Sequence, residues 1–171
     1  MNKNVIIIGV IVVMVVVGII LTIPKSHDEK SSISTFQKQN EREGKMVAGY
    51  SGKVLAGDTS PYLEFKKGDY DKALSDNKII VLDFYANWCP ICQEEAPNII
   101  AGFNELQTDK VIGFRVNYND TETDNDEKEL AGNYSITYQH TKVIIKDGKE
   151  VIRSLESWDK ETFLKEVNST L

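Results

Sequence analysis

From Val5 to Ile23 the chain runs for 19 residues without a charge, and every residue except Gly9, Gly18 and Thr22 is Val, Ile, Leu or Met. At about 1.5 Å of rise per residue, a helix of this length spans roughly 28 Å, close to the depth of a bilayer core. A helix apolar on every side for this distance does not suit the surface of a soluble domain. A cleaved signal peptide has a shorter apolar core, about 7–15 residues, ending at small residues. Leu21-Thr22-Ile23-Pro24-Lys25 offers no such site, and no cysteine follows that could carry a lipid. The pattern predicts an uncleaved transmembrane anchor over residues 1–23. Lys3 on one side and Lys25 and Lys30 on the other leave the positive-inside comparison undecided. The short head before a long remainder suits a signal anchor with the large domain on the extracytoplasmic side of the cell membrane.

Residues 24–46 are polar and cannot bury much surface. They read as a tether, with a short helical piece around Phe36–Arg42. From Val47 the pattern turns globular, so the chain divides into an anchor (1–23), a tether (24–46) and a folded domain (47–171). Tyr62–Phe65 reads as a short strand and Asp69–Asp76 has helical spacing at Tyr70, Ala73 and Leu74. Ile79–Tyr85 is a buried strand by its apolar, β-branched run, with one charged member out of place, Asp83. Pro90–Leu106 reads as a helix interrupted at Pro97, Val111–Tyr118 as a second apolar strand, and Asp124–Asn133 as an acidic helix with Leu130 and Ala131 inward. Lys142–Lys146 and Glu150–Leu155 flank Asp147-Gly148, a strong hairpin signal. Trp158–Val167 closes the chain as a helix. Strands alternating with helices, then a hairpin and a helix, imply an α/β domain: a central mixed β-sheet flanked by helices on both faces.

Composition narrows the function. The 171 residues carry 20 Lys and Arg against 26 Asp and Glu, a net charge of −6. Lys3 is the only charge ahead of residue 24, so residues 24–171 carry −7. Neutralising phosphates needs a basic face, so nucleic acid is excluded as a partner, and adhesion to anionic lipid is disfavoured. The only cysteines are Cys89 and Cys92. They cannot build a multi-bridge scaffold or a four-cysteine zinc site.

The chemistry lies where the best strand meets the longest helix, in Asp83-Phe84-Tyr85-Ala86-Asn87-Trp88-Cys89-Pro90-Ile91-Cys92. Pro90 suits the first helical position, which needs no amide donor. Cys89 then sits at the cap, where the positive helix end stabilises a thiolate. Cys92 follows about one turn later, within reach of the same sulfur. The pair can close a small disulfide ring, with Cys89 attacking and Cys92 resolving. A carboxylate inside an apolar strand, Asp83, should have a raised pKa and can exchange a proton with Cys92. The competing reading pairs Asp83 with a cation such as Arg115.

These residues resemble the thioredoxin superfamily over roughly Tyr62 to Leu171. The carriers are Trp88-Cys89-Pro90-Ile91-Cys92 between strand and helix, Asp83 six residues before the first cysteine, Pro97 five after the second, and Tyr134-Ser135-Ile136 before the hairpin. The resemblance implies a thioredoxin-like fold and thiol–disulfide exchange, with no cofactor beyond the Cys89–Cys92 disulfide. It maps the solvent-exposed nucleophile onto Cys89, the resolving thiol onto Cys92 and the buried carboxylate onto Asp83. Trp88, Pro90, Ile91, Gln139 and His140 become candidates for substrate binding or for tuning the cysteines. Implied partners are protein thiols and disulfides and a redox partner, membrane-bound or soluble. Pro-Ile between the cysteines looks more like glutaredoxins and the periplasmic oxidases. Cys92-x-x-Glu95-x-Pro97 is similar to the membrane-anchored reductases of cytochrome c maturation. These cues point in opposite directions and leave the direction of electron flow open. Glu94 and Glu95 either oppose thiolate formation or face water.

One departure is large. The family's cis-proline before the hairpin aligns with His140. A cis non-prolyl bond costs roughly 3–4 kcal/mol, so the Gln139–His140 bond is expected to be trans. An imidazole there could lower the thiolate pKa, shuttle a proton or ligate a metal; without such a role it is a loop histidine. Two functions follow: a membrane-tethered thiol–disulfide oxidoreductase acting on extracytoplasmic proteins, and a metal-delivery module holding Cu(I) or Zn(II) through Cys89, Cys92 and His140. No methionine or further histidine near the motif completes a metal shell, which favours the oxidoreductase.

Overall fold

The computed structural model describes residue 47 and residues 49–171. The anchor expected over 1–23 and the tether over 24–46 lie outside the described residues. Among the described residues no helix is long and apolar enough to cross a membrane.

The elements are β1 (Val54–Ala56), β2 (Tyr62–Glu64), α1 (Lys67–Ser75), β3 (Ile79–Tyr85), α2 (Pro90–Glu105), β4 (Val111–Asn117), α3 (Asn125–Asn133), β5 (Thr141–Lys146), β6 (Lys149–Ser154) and α4 (Lys160–Asn168). The strands form one mixed sheet in the order β1-β2-β4-β3-β5-β6. Strands β2, β4 and β3 run parallel, while β1, β5 and β6 pair antiparallel with their neighbours. Asp147 and Gly148 both have positive φ, 53° and 71°, which matches the twist of the β5–β6 hairpin.

Alternation along the strands builds two cores. Ile80, Leu82 and Phe84 of β3 face one side, with Ile112, Phe114 and Val116 of β4, under α1 and α3. Ile79 and Val81 face the other side with Tyr62, Val111 and Ile144, under α2 and α4. Because the side-chain period is two, Asp83 falls on this second face, beneath α2. The second core depends on close approach: a Cβ at Gly113 would strike the Phe103 ring, and one at Gly102 would strike Phe163.

Two expectations need correction, and one element is new: strand β1, whose three residues carry too little pattern to read. Helix α2 continues through Pro97 instead of being interrupted there. Proline removes only one helical hydrogen bond, and the helix is anchored on both sides of it by buried Cys92 and Glu95 and by Ile99, Gly102 and Phe103. Helix α4 begins at Lys160 and not at Trp158, because the Asp159 carboxylate caps it by accepting the Thr162 N–H at 2.8 Å; Trp158 is buried just ahead of the cap.

Phe103 is fully buried, stacked on Tyr62 with ring centroids 4.7 Å apart and packed against Phe163 at 4.8 Å. Phe103→Ala should lower stability by about 3–5 kcal/mol, measured as a drop in the urea midpoint at unchanged slope.

Candidate active site

Cys89 is the N-cap of α2 with Pro90 at the first helical position, and its sulfur accepts the Cys92 N–H at 3.2 Å. Both cysteines are free thiols and both are buried, each 3% exposed. Exposure therefore does not single out Cys89 as the open sulfur that the resemblance implies. Electrostatics mark Cys92. The Cys92 thiol is pushed up to about 12, first by burial, then by its hydrogen bond to Cys89 and by the negative charge of Cys89 and Asp83. Cys92 therefore holds its proton at neutral pH.

The segment ahead of Cys89 is fixed by the loop after β4. The Asn87 N–H donates to Asp120 Oδ2 at 2.9 Å, Asn87 Nδ2 to Thr121 Oγ1 at 2.9 Å, and Trp88 Nε1 to the Asn119 carbonyl at 3.1 Å. Trp88 and Ile91 are half exposed, and Pro90 is also exposed. Tyr138, which sequence reasoning did not single out, is 63% exposed beside half-buried Gln139.

Asp83 is buried, as its place in an apolar strand implied. Burial raises its pKa; the charge of Glu95 raises it further, while a hydrogen bond from Tyr62 and the nearby Lys142 and His140 lower it. Its ladder neighbours are Arg115 on β4 and Lys142 on β5, yet neither pairs with it. Arg115 instead meets Glu64 at 3.2 Å and lies over the Tyr85 ring. Lys142 has no exposure and donates to Glu95 Oε1 at 2.7 Å and Oε2 at 3.0 Å. The hydrogen bond to the Asp83 carboxylate comes from Tyr62, whose hydroxyl donates to Oδ2 at 2.6 Å.

Glu94 and Glu95 divide. Glu94 faces water, whereas Glu95 is buried between Lys142 and the Trp158 N–H, which donates to Oε1 at 2.5 Å. Among the described residues no peptide bond is cis, so the Gln139–His140 bond is trans. His140 has φ of +67°, in the left-handed region, and its N–H donates to the Phe84 carbonyl at 2.6 Å. Its ring is buried and turned toward Ser157, with Nε2 3.1 Å from Oγ, and toward Glu95. Burial and the Lys142 charge lower its pKa, so the ring is neutral at pH 7. The 3.0 Å approach of Nδ1 to Glu95 Oε2 is then no ion pair, and its geometry leaves Nδ1 without a hydrogen bond. The ring's one hydrogen bond is thus with Ser157, and neither ring nitrogen bonds a cysteine sulfur as a tuning or metal-binding role would need. Among the described residues no group of three or more His, Cys, Asp or Glu is placed to hold a metal ion.

The sequence singles out Cys89, Cys92 and Asp83 as candidates, and the structure adds Tyr62, Lys142 and Ser157 to their surroundings. Lys142 carried a readable signal, a charge inside the apolar run Thr141–Ile145, the same anomaly that marked Asp83. Tyr62 and Ser157 carried none.

Comparison with known proteins agrees with this geometry. The family model described as Thioredoxin matches residues 61–169. The chain is 30% identical over 98 residues to thioredoxin from Mycobacterium tuberculosis, covering 57% of this chain and 78% of that protein. Among solved structures, thioredoxin from Aeropyrum pernix superposes with a TM-score of 0.53 at 16% identity, over 71% of this chain and 96% of that one. A mutant thioredoxin from Halobacterium salinarum gives a TM-score of 0.51 at 25% identity, over 67% and 96%.

Two outcomes test the site. Asp83→Asn should be more stable than the parent at neutral pH, on the order of 1–3 kcal/mol. A carboxyl whose folded pKa is raised contributes stability that is lost as pH rises through that pKa. The gap should therefore close at acid pH and open as pH rises, in paired denaturation curves. Lys142→Met should cost about 3–5 kcal/mol by stranding Glu95, and adding Glu95→Gln should recover most of it in the same assay.

Proposed function

The chain belongs to the thioredoxin family, and we propose that it works as a membrane-tethered thiol–disulfide oxidoreductase exchanging disulfides with extracytoplasmic proteins. The observation that carries the exchange reaction is the Cys89 sulfur at a helix N-cap, accepting from Cys92, with the Cys92 thiol held protonated. Tethering rests on the apolar run Val5–Ile23 and its polar follow-on.

In the reducing direction the Cys89 thiolate attacks a substrate disulfide, and one substrate sulfur leaves as a thiolate. Cys89 is then joined to the other in a mixed disulfide. The helix end favours the attacking anion. Cys92 must next lose its proton, and Asp83 takes it. The Cys92 thiolate attacks the Cys89 sulfur, forming the Cys89–Cys92 disulfide and releasing the second substrate thiolate. Two electrons pass from the pair to the substrate. Oxidation of a substrate dithiol is the same sequence reversed, and the redox partner resets the pair. Exposed Trp88, Ile91 and Tyr138 supply apolar surface for a protein substrate.

The metal-delivery reading is the weaker one, because the His140 ring is buried and its one hydrogen bond goes to Ser157.

The full chain in detergent should reduce insulin disulfides, and Cys89→Ser should abolish this. Cys92→Ser should accumulate mixed disulfides through Cys89, seen on non-reducing gels; trapping through Cys92 in the Cys89→Ser protein instead would reverse the roles. A reduction potential of the pair of about −270 mV would mark a reductase, and one of about −120 mV an oxidant. Recovery of the intact full-length chain in the soluble fraction of cells would overturn the tether.

A further inference from the structure

We propose that Tyr62 is a positioning residue for the resolving step: its hydroxyl holds the Asp83 carboxylate by Oδ2, keeping it ionised and aimed to accept the Cys92 proton. The inference rests on the reading of Asp83 as the base.

The two cations beside Asp83 in the sheet are both committed elsewhere, Arg115 to Glu64 and Lys142 to Glu95. That leaves the phenol on β2 as the donor, at 2.6 Å in a buried setting. Tyr62 cannot drift from this position. It is 3% exposed, and its ring lies flat on Phe103 at an interplanar angle of 2°. Phe103 reaches that place because Gly113, the ladder partner of Tyr62, has no side chain. Burial and the Asp83 charge keep the phenol protonated, so it donates.

The other groups that Asp83 senses do not substitute for it. Glu95 on α2 repels the Asp83 charge, while Lys142 on β5, and His140 only when its ring is protonated, favour it without bonding to it. Cys92 and Tyr85 sense the Asp83 charge in turn. A hydrogen bond to the ionised form of a carboxyl favours that form. With Oδ2 occupied by Tyr62, Oδ1 is the oxygen left for the Cys92 proton. The proton passes from Cys92 Sγ to Asp83, the new thiolate bonds to Cys89 Sγ, and the sulfur formerly joined to Cys89 leaves with the electron pair.

Ellman's reagent separates the two chemical steps in the full-length reduced chain. The first thionitrobenzoate reports attack by Cys89, the second reports resolution by Cys92. Tyr62→Phe keeps the ring and its stacking but removes the donor. It should move the acidic limb of the second phase up by about one pH unit, up to roughly tenfold slower on the limb, and leave the first phase unchanged. Asp83→Asn should remove that limb altogether. If Tyr62→Phe fails to fold, 3-fluorotyrosine placed at position 62, a more acidic donor, should move the limb to lower pH. An Asp83→Asn protein that loses the limb beside a Tyr62 variant that does not shift it would overturn the role of Tyr62 and leave the base assignment standing. A limb unmoved in Asp83→Asn would overturn both.

Discussion

The ammonium group of Lys142 has no contact with water and is held by four oxygens: both of Glu95, at 2.7 and 3.0 Å, the Glu156 carbonyl at 2.6 Å and the His140 carbonyl at 3.3 Å. An isolated charge in this place would cost several kcal/mol in lost hydration. That cost makes the arrangement selective, because any shift that separates the partners strands a buried ion. Lys142 comes from β5, Glu95 from the first turns of α2, and Glu156 from the chain leaving the hairpin. Glu95 also accepts from the Trp158 backbone. One buried ion pair therefore fixes the cysteine helix against the sheet and against the approach to α4.

The pair also shapes the electrical surroundings of Asp83 and, through it, of the Cys92 thiol. Lys142 stands in register with Asp83 and would be its natural partner on the ladder. Glu95 claims the cation, and its own negative charge adds to the burial that already raises the Asp83 pKa. Asp83 is thereby left with a hydrogen bond from Tyr62 in place of an ion pair, the setting that the proposed proton transfer requires. A carboxylate in full contact with Lys142 would be too stable as an anion to act as the base. Competition between two acids for one lysine leaves Glu95 ion-paired and Asp83 held by a phenol alone.

Much of this was legible in the sequence. The strand Ile79–Tyr85 and the parallel and antiparallel partners around it follow from apolar runs whose period and length are unmistakable, and the Asp147-Gly148 hairpin follows from its turn chemistry. Proline directly after Cys89 placed the sulfur at the helix cap. The contacts that tune the site were not legible, because they join residues far apart in the chain: Tyr62 and Asp83, Glu95 and Lys142, His140 and Ser157. Nothing local in a Tyr-Leu-Glu strand says where a phenol will end. Asp83 and Lys142 could be marked as anomalies, but which charge would pair with which depends on the register of β3, β4 and β5.

His140 shows how a fold can keep a position while changing its chemistry. The resemblance places a proline there, which has no N–H to offer and whose ring is inert. His140 keeps the bend with a trans bond and a left-handed φ, a conformation that histidine tolerates better than most residues. Its N–H is then free to donate, and the Phe84 carbonyl accepts it, continuing the β3–β5 pairing past Thr141. The neutral ring fills space against Ser157 and Glu95 and closes the polar cluster from the loop side. Thr141 adds a further anchor by donating to the Tyr138 carbonyl at 2.8 Å. With His140 drawn inward and the Tyr138 carbonyl pinned, the Tyr138 side chain is left outside. The replacement that removes proline from the loop thus converts its inner half into a structural tie and its outer half into exposed aromatic surface.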